Sequence, residues 1–227
     1  MSTRISIAVI ALCMIYASCS KDESNPPDPP PATTKASEYF MPLTTGNFTL
    51  LVGPTTTKLD TFPAMVSNDT TRYTILAGTK TSAGGKSLRA IQTYNGSQSG
   101  SANTSVDYFY AGDTELTMFD STLLETSADT YLKLPVQLNT PWRVSPQDTV
   151  LAVITSANET VATAAGTFTN CIKVTIHNSD ATGFSATMDW YFAKGVGIVR
   201  MKVDAKMPIG SKALQINMDQ TLRSKNF

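Results

Sequence analysis

Few side chains in this sequence could support nucleophilic or metal chemistry, and their spacing restricts them further. There are three cysteines, Cys13, Cys19 and Cys171, and a single histidine, His177. One imidazole excludes zinc sites that need two or three of them from one chain. Cys171 and His177 fall on one face of a single candidate strand and invite a thiol–imidazole reading. Six residues of extended chain at about 3.3 Å each place them roughly 20 Å apart, far beyond hydrogen-bond reach. The sequence contains no G-x-S-x-G turn, no phosphate-cradling glycine loop and no calcium loop. The remaining acid and base candidates are carboxylate pairs, Asp22 with Glu23 and Asp113 with Glu115. The first lies in a polar, proline-rich stretch and the second in a turn, where carboxylates read as solvated charge. The expectation is a non-enzyme with no metal and no cofactor.

Cys19 sits in a different context. Residues 1–19 carry one cation, Arg4, then an uncharged run from Ile5 to Tyr16, then Ala17, Ser18 and Cys19. A run of this length is too short for a permanent span, which needs about 20 apolar residues, and it reads as a signal peptide over 1–18. A plain secretory signal needs small residues before its cleavage point but no cysteine after them. Ala17-Ser18-Cys19 resembles a bacterial lipoprotein signal, in which the cysteine is acylated and becomes the new N-terminus. The resemblance implies lipidation at Cys19 and membrane attachment through that lipid, because two or three acyl chains at about 0.8 kcal/mol per buried methylene suffice for anchoring. Ser20, Lys21, Asp22 and Glu23 then resemble the export signal of Bacteroidetes surface lipoproteins. Lys21, Asp22 and Glu23 would be its charged residues, and the implied address is the outer membrane at the cell surface, with its periplasmic face as the alternative.

Behind this address the chain must provide a spacer and a body. Residues 19–38 form a tether: Pro26, Pro27, Pro29, Pro30 and Pro31 stand among polar residues, a composition that favours extended polyproline II over a core. The folded domain is expected over 39–227. Its composition, with 33 threonines and 16% charged residues, suits half-buried strands. Alternation with period two recurs where helical periodicity does not. Strands are expected at Phe48–Val52, Tyr73–Ala77, Leu88–Tyr94, Val106–Ala111, Glu115–Phe119, Val150–Thr155, Thr167–Asn178, Ser185–Ala193, Ile198–Ala205 and Ala213–Leu222. Between them stand turn residues such as Gly84-Gly85, Asn95-Gly96, Gly112-Asp113, Ala157-Asn158 and Thr182-Gly183. With no helix to cover a face, an antiparallel sheet must curl or stack on another to hide its apolar side. The expected fold is all-β, a strongly curved antiparallel sheet closing as a barrel-like or sandwich domain.

Three phrases, Tyr39-Phe40-Met41-Pro42-Leu43 with Gly46-Asn47, Ala165 to Cys171, and Trp190 to Val199, together resemble a family of exported lipoprotein domains of unknown function. The resemblance implies a curved antiparallel sheet and assigns no reaction. Trp142 and Trp190 read as packing residues. Met188, Trp190 and Phe192, on one strand face, are expected in the core or, if the sheet leaves a cavity, around an apolar pocket.

Lys and Arg total 18, as do Asp and Glu, so no net field draws the chain to nucleic acid. The leading functional expectation is a lipid-anchored envelope lipoprotein, a non-catalytic binding or structural module whose partner is an unknown protein or an apolar or glycan ligand. A carrier of a lipid or other apolar molecule in a curved-sheet cavity comes second, and a two-carboxylate glycosidase third. Asp69-Thr70-Thr71, Asp120-Ser121-Thr122 and Asp148-Thr149-Val150 resemble O-glycosylation acceptors of the same bacterial group.

Overall fold

A computed structural model of the protein describes residues 34–97 and 102–227. The proposed signal peptide, Cys19, Lys21, Asp22 and Glu23 lie outside the described residues. Within them the fold is one antiparallel sheet of twelve strands with two short 3₁₀ turns, Ala36–Tyr39 and Glu125–Ser127. The strands are β1 (Phe48–Leu59), β2 (Met65–Thr81), β3 (Ser87–Ser97), β4 (Ala102–Ala111), β5 (Glu115–Phe119), β6 (Asp129–Lys133), β7 (Trp142–Arg143), β8 (Leu151–Thr163), β9 (Gly166–Ser179), β10 (Ser185–Ala193), β11 (Gly197–Ile209) and β12 (Lys212–Lys225).

The spatial order β6-β5-β4-β3-β2-β1-β12-β11-β10-β9-β8-β7 describes two meanders joined through β1 and β12, with β6 and β7 at the edges. Those two edge strands are consecutive in sequence and linked only by residues 134–141, so the sheet must curl until its edges meet. They do: the Thr130 amide donates to the Val144 carbonyl at 2.8 Å, and the Trp142 Nε1–H donates to the Thr130 carbonyl at 2.9 Å. The result is a nearly closed barrel, as the curved-sheet reading expects, and not two stacked sheets.

Alternation sorts the side chains as the sequence pattern predicts. Ile75, Ile91, Leu116, Leu132, Ile154, Ile172, Val174, Ile176 and Phe192 point inward and form the main core. The described N-terminal segment closes one end of it. Ala36 is wholly buried, Phe40 stacks on Phe109 with ring centroids 5.3 Å apart, and Met41 packs beside them. The Ala36 and Ser37 amides donate to the Asp113 and Gly112 carbonyls, and the Gly195 amide donates to the Glu38 carbonyl. Gly197, at φ +92°, brings its backbone against the Met41 amide, an approach that a left-handed glycine permits. Packing thus already begins at Ala36, three residues before Tyr39.

Several strands run past their expected ends. β8 continues through Ser156 to Glu159, whose Ala157-Asn158 pair carries turn chemistry, because three register irregularities between Ile154 and Val161 absorb the extra residues as bulges. β1 continues through Gly53-Pro54, although proline is normally barred from a central strand. Its ladder to β12 is interrupted there: Val52 pairs with Thr221 and the next pair is Thr55 with Met218. β6 and β7 are strands without sequence counterparts: β6 sets its apolar residues Tyr131 and Leu132 side by side instead of alternately, and β7 has only two residues.

Candidate functional site

The cysteine and histidine stay apart. Cys171 is wholly buried in a second cluster with Val161, Tyr191, Val199 and Leu222, and burial pushes its thiol up to about 11. His177, on the same strand, is exposed beside the Thr187 hydroxyl. The Asp113 and Glu115 carboxylates likewise serve separate cations: Asp113 pairs with Lys35 at 2.9 Å and Glu115 with Lys86 at 2.7 Å.

Met188, Trp190 and Phe192 line the inner face as the alternation requires. Phe192 is buried in the main core, and Met188 and Trp190 pack against it half-buried. The Trp190 ring stacks on Tyr131 at 4.5 Å between centroids, while its Nε1–H is buried without a partner. Around this pair the interior holds polar groups that sequence reasoning did not single out. Burial pushes the Tyr73 phenol up to about 12, and it raises the Tyr131 phenol and the Asp129 carboxyl. Trp142 also joins the core, as a packing residue.

At the end closed by the N-terminal segment the interior is filled. The enclosed apolar void bounded by Phe40, Met41, Tyr73, Ile91, Phe109 and Ile198 measures only about 20 Å³, near the minimum for a single water. Further along the barrel the concave face opens. Met201 pairs with both Trp190 and Gln220, while on β1 the position between Gln220 and Asp69 is Gly53. Gly53 lets β1 lie close against β12, since a Cβ there would strike the backbone of Asp219 and Gln220. Beside it is a cleft of about 340 Å³ lined by Asp69, Thr71, Asn95, Ser97, Asn103, Met218 and Gln220. Gln220 is 1% exposed, and its side-chain carbonyl oxygen is buried with no hydrogen-bond partner. Burial raises the Asp69 carboxyl, but hydrogen bonds from neighbouring hydroxyls, Ser67 at 2.9 Å among them, overcome this and hold it below its ordinary value. The Thr71 hydroxyl donates to Asn95 Oδ1 at 3.0 Å.

Beyond the cleft the inner face becomes apolar. Met218, Ile216 and Leu214 of β12 alternate inward, with Val203 and Met207 of β11 and Leu59 and Met65 of β1–β2 beside them. Met65 is 71% exposed and Met207 42%. The outer face of β9 to β12 carries a balanced charge ladder instead: Lys173 with Asp189 at 3.0 Å, and Arg200 with Asp219 at 2.6 Å. Of the three glycosylation-like triplets, Ser121 and Thr149 are exposed outside the strands, whereas Thr70 lies half-buried within β2.

No family model and no curated protein matches the chain. Two solved structures are similar to it. One is a Bacteroides fragilis protein described as exported and as having a YmcC-like fold, 14% identical, with 83% of this chain and 99% of that one covered at a TM-score of 0.49. The other is a Parabacteroides distasonis protein described as a lipoprotein, 14% identical, with 85% and 99% covered at a TM-score of 0.47.

Proposed function

We propose that the protein is a lipid-anchored lipoprotein of a bacterial outer envelope whose barrel acts as a non-catalytic binding module, with the open half of its concave face as the binding surface. The observation that carries the binding role is the Gln220 cleft. A buried side-chain acceptor without a partner costs about 1–3 kcal/mol, and a ligand donor offsets that cost. The anchor reading rests on the Ala17-Ser18-Cys19 signal and on the proline-rich tether behind it. At the outer membrane, with Lys21, Asp22 and Glu23 as export residues, the cleft faces the medium or the periplasm.

Native mass spectrometry of the protein extracted from its own membrane tests this reading. The expected spectrum has acyl mass on the chain and a non-covalent adduct that collisional activation ejects. A chain that never carries an adduct overturns the binding role.

A further inference from the structure

We infer that the concave face binds a single-chain amphiphile, with an uncharged, hydroxyl-bearing head in the Gln220–Asp69 cleft and an apolar tail along β12 and its neighbours. This rests on the binding reading above and names the class of ligand.

The head is defined by what the cleft lacks and what it holds. The Gln220 side-chain oxygen is an acceptor in want of a donor, and Asp69, ionised at neutral pH, is a second acceptor lining the same cleft. Two acceptors facing one space select a group with two donors, and a vicinal or sugar-like pair of hydroxyls supplies them. A carboxylate or phosphate head is disfavoured, because it brings negative charge to Asp69 and no donor to Gln220. A cleft of about 340 Å³ takes a glycerol- or hexose-sized head and not a long oligosaccharide.

The tail is defined by continuity. Met218 lines the cleft and opens the apolar strip that continues through Ile216 and Leu214. Six residues of strand from Gln220 to Leu214 extend for about 20 Å. Met65 and Met207 border the strip, and flexible thioethers adapt to a mobile chain better than branched side chains do. An exposed apolar strip that runs directly into a polar cleft fits an amphiphile, where a soluble polyol would leave the strip unused.

Calorimetric titration of the full mature chain carrying Cys19→Ser, kept soluble by that change, tests this with 1-monooctanoylglycerol, glycerol and octanoate below their micellar range. Saturable binding of monooctanoylglycerol, at least about tenfold tighter than either of the others, is expected. Gln220→Leu should lower that affinity about tenfold without lowering the melting temperature, and Met207→Lys should lower it severalfold by blocking the tail alone. Equal binding of octanoate and monooctanoylglycerol, or indifference to both substitutions, overturns the inference. Equal binding of glycerol overturns the tail and leaves the binding module standing. If Met207→Lys alters only self-association, the strip is a contact between copies of the chain and the inference falls.

Discussion

Cys171 and Gln220 are both buried polar residues, and their situations differ. The thiol is a small group in an apolar cluster, donating weakly to the Phe168 carbonyl at 3.5 Å. With its pKa raised from 9.0 to about 11, it should be inert towards Ellman's reagent in the native protein at pH 8 and react fully once unfolded. The same shift gives a pH dependence: the unfolded thiol loses its proton near pH 9 and the folded one near 11, so this contribution is complete below pH 9 and lost between them. Urea unfolding from pH 8 to 11 should show falling stability over that window, and a flat profile contradicts the buried thiol. Gln220 instead holds an acceptor with no donor. Replacement by leucine removes that cost and should stabilise the free protein by about 1 kcal/mol in urea unfolding; a loss of more than about 2 kcal/mol would make Gln220 a structural residue. The sequence showed that Cys171 and His177 could not work together, since strand geometry alone separates them. It could not reveal Gln220, because an orphaned acceptor is a property of neighbours that only the register of β1, β11 and β12 brings together.

At the level of elements, strands with clean alternation were legible. Glu115–Phe119 and Ser185–Ala193 have the observed bounds, and the inward set Met188, Trp190 and Phe192 follows from period two alone. What the pattern concealed were places where pairing overrides local preference. The expected strand stops at Val52, before Gly53-Pro54, yet partners on both sides carry β1 onward to Leu59. A Cβ at Gly53 would strike the backbone of Asp219 and Gln220. Gly53→Ala should therefore destabilise the protein by about 1–3 kcal/mol, as forced backbone shifts do, measured by chemical unfolding. Ala157-Asn158 reads as a turn for a similar reason, since polar residues in a bulged strand look like a loop until the partner strand is known.

Across the whole molecule, the barrel has a filled half, closed by the segment from Ala36 to Met41, and an open half that faces outward beyond Gln220. Closure depends on few bonds: Trp142→Phe removes the indole donor to Thr130 and should cost about 1 kcal/mol, with faster hydrogen exchange confined to β6 and β7. Curvature was foreseeable from strands that have no helix to cover them, and the choice of a barrel over a sandwich was decided by the short link between β6 and β7. The proposed function has the domain held outside the cytoplasm through lipid on Cys19. Intact mass and detergent partitioning of the protein with Cys19→Ala, beside the parent chain, measure this directly. Acyl mass is expected on the parent chain and none on the variant, which leaves the membrane fraction; a variant that still enters detergent with acyl mass attached would refute lipidation at Cys19.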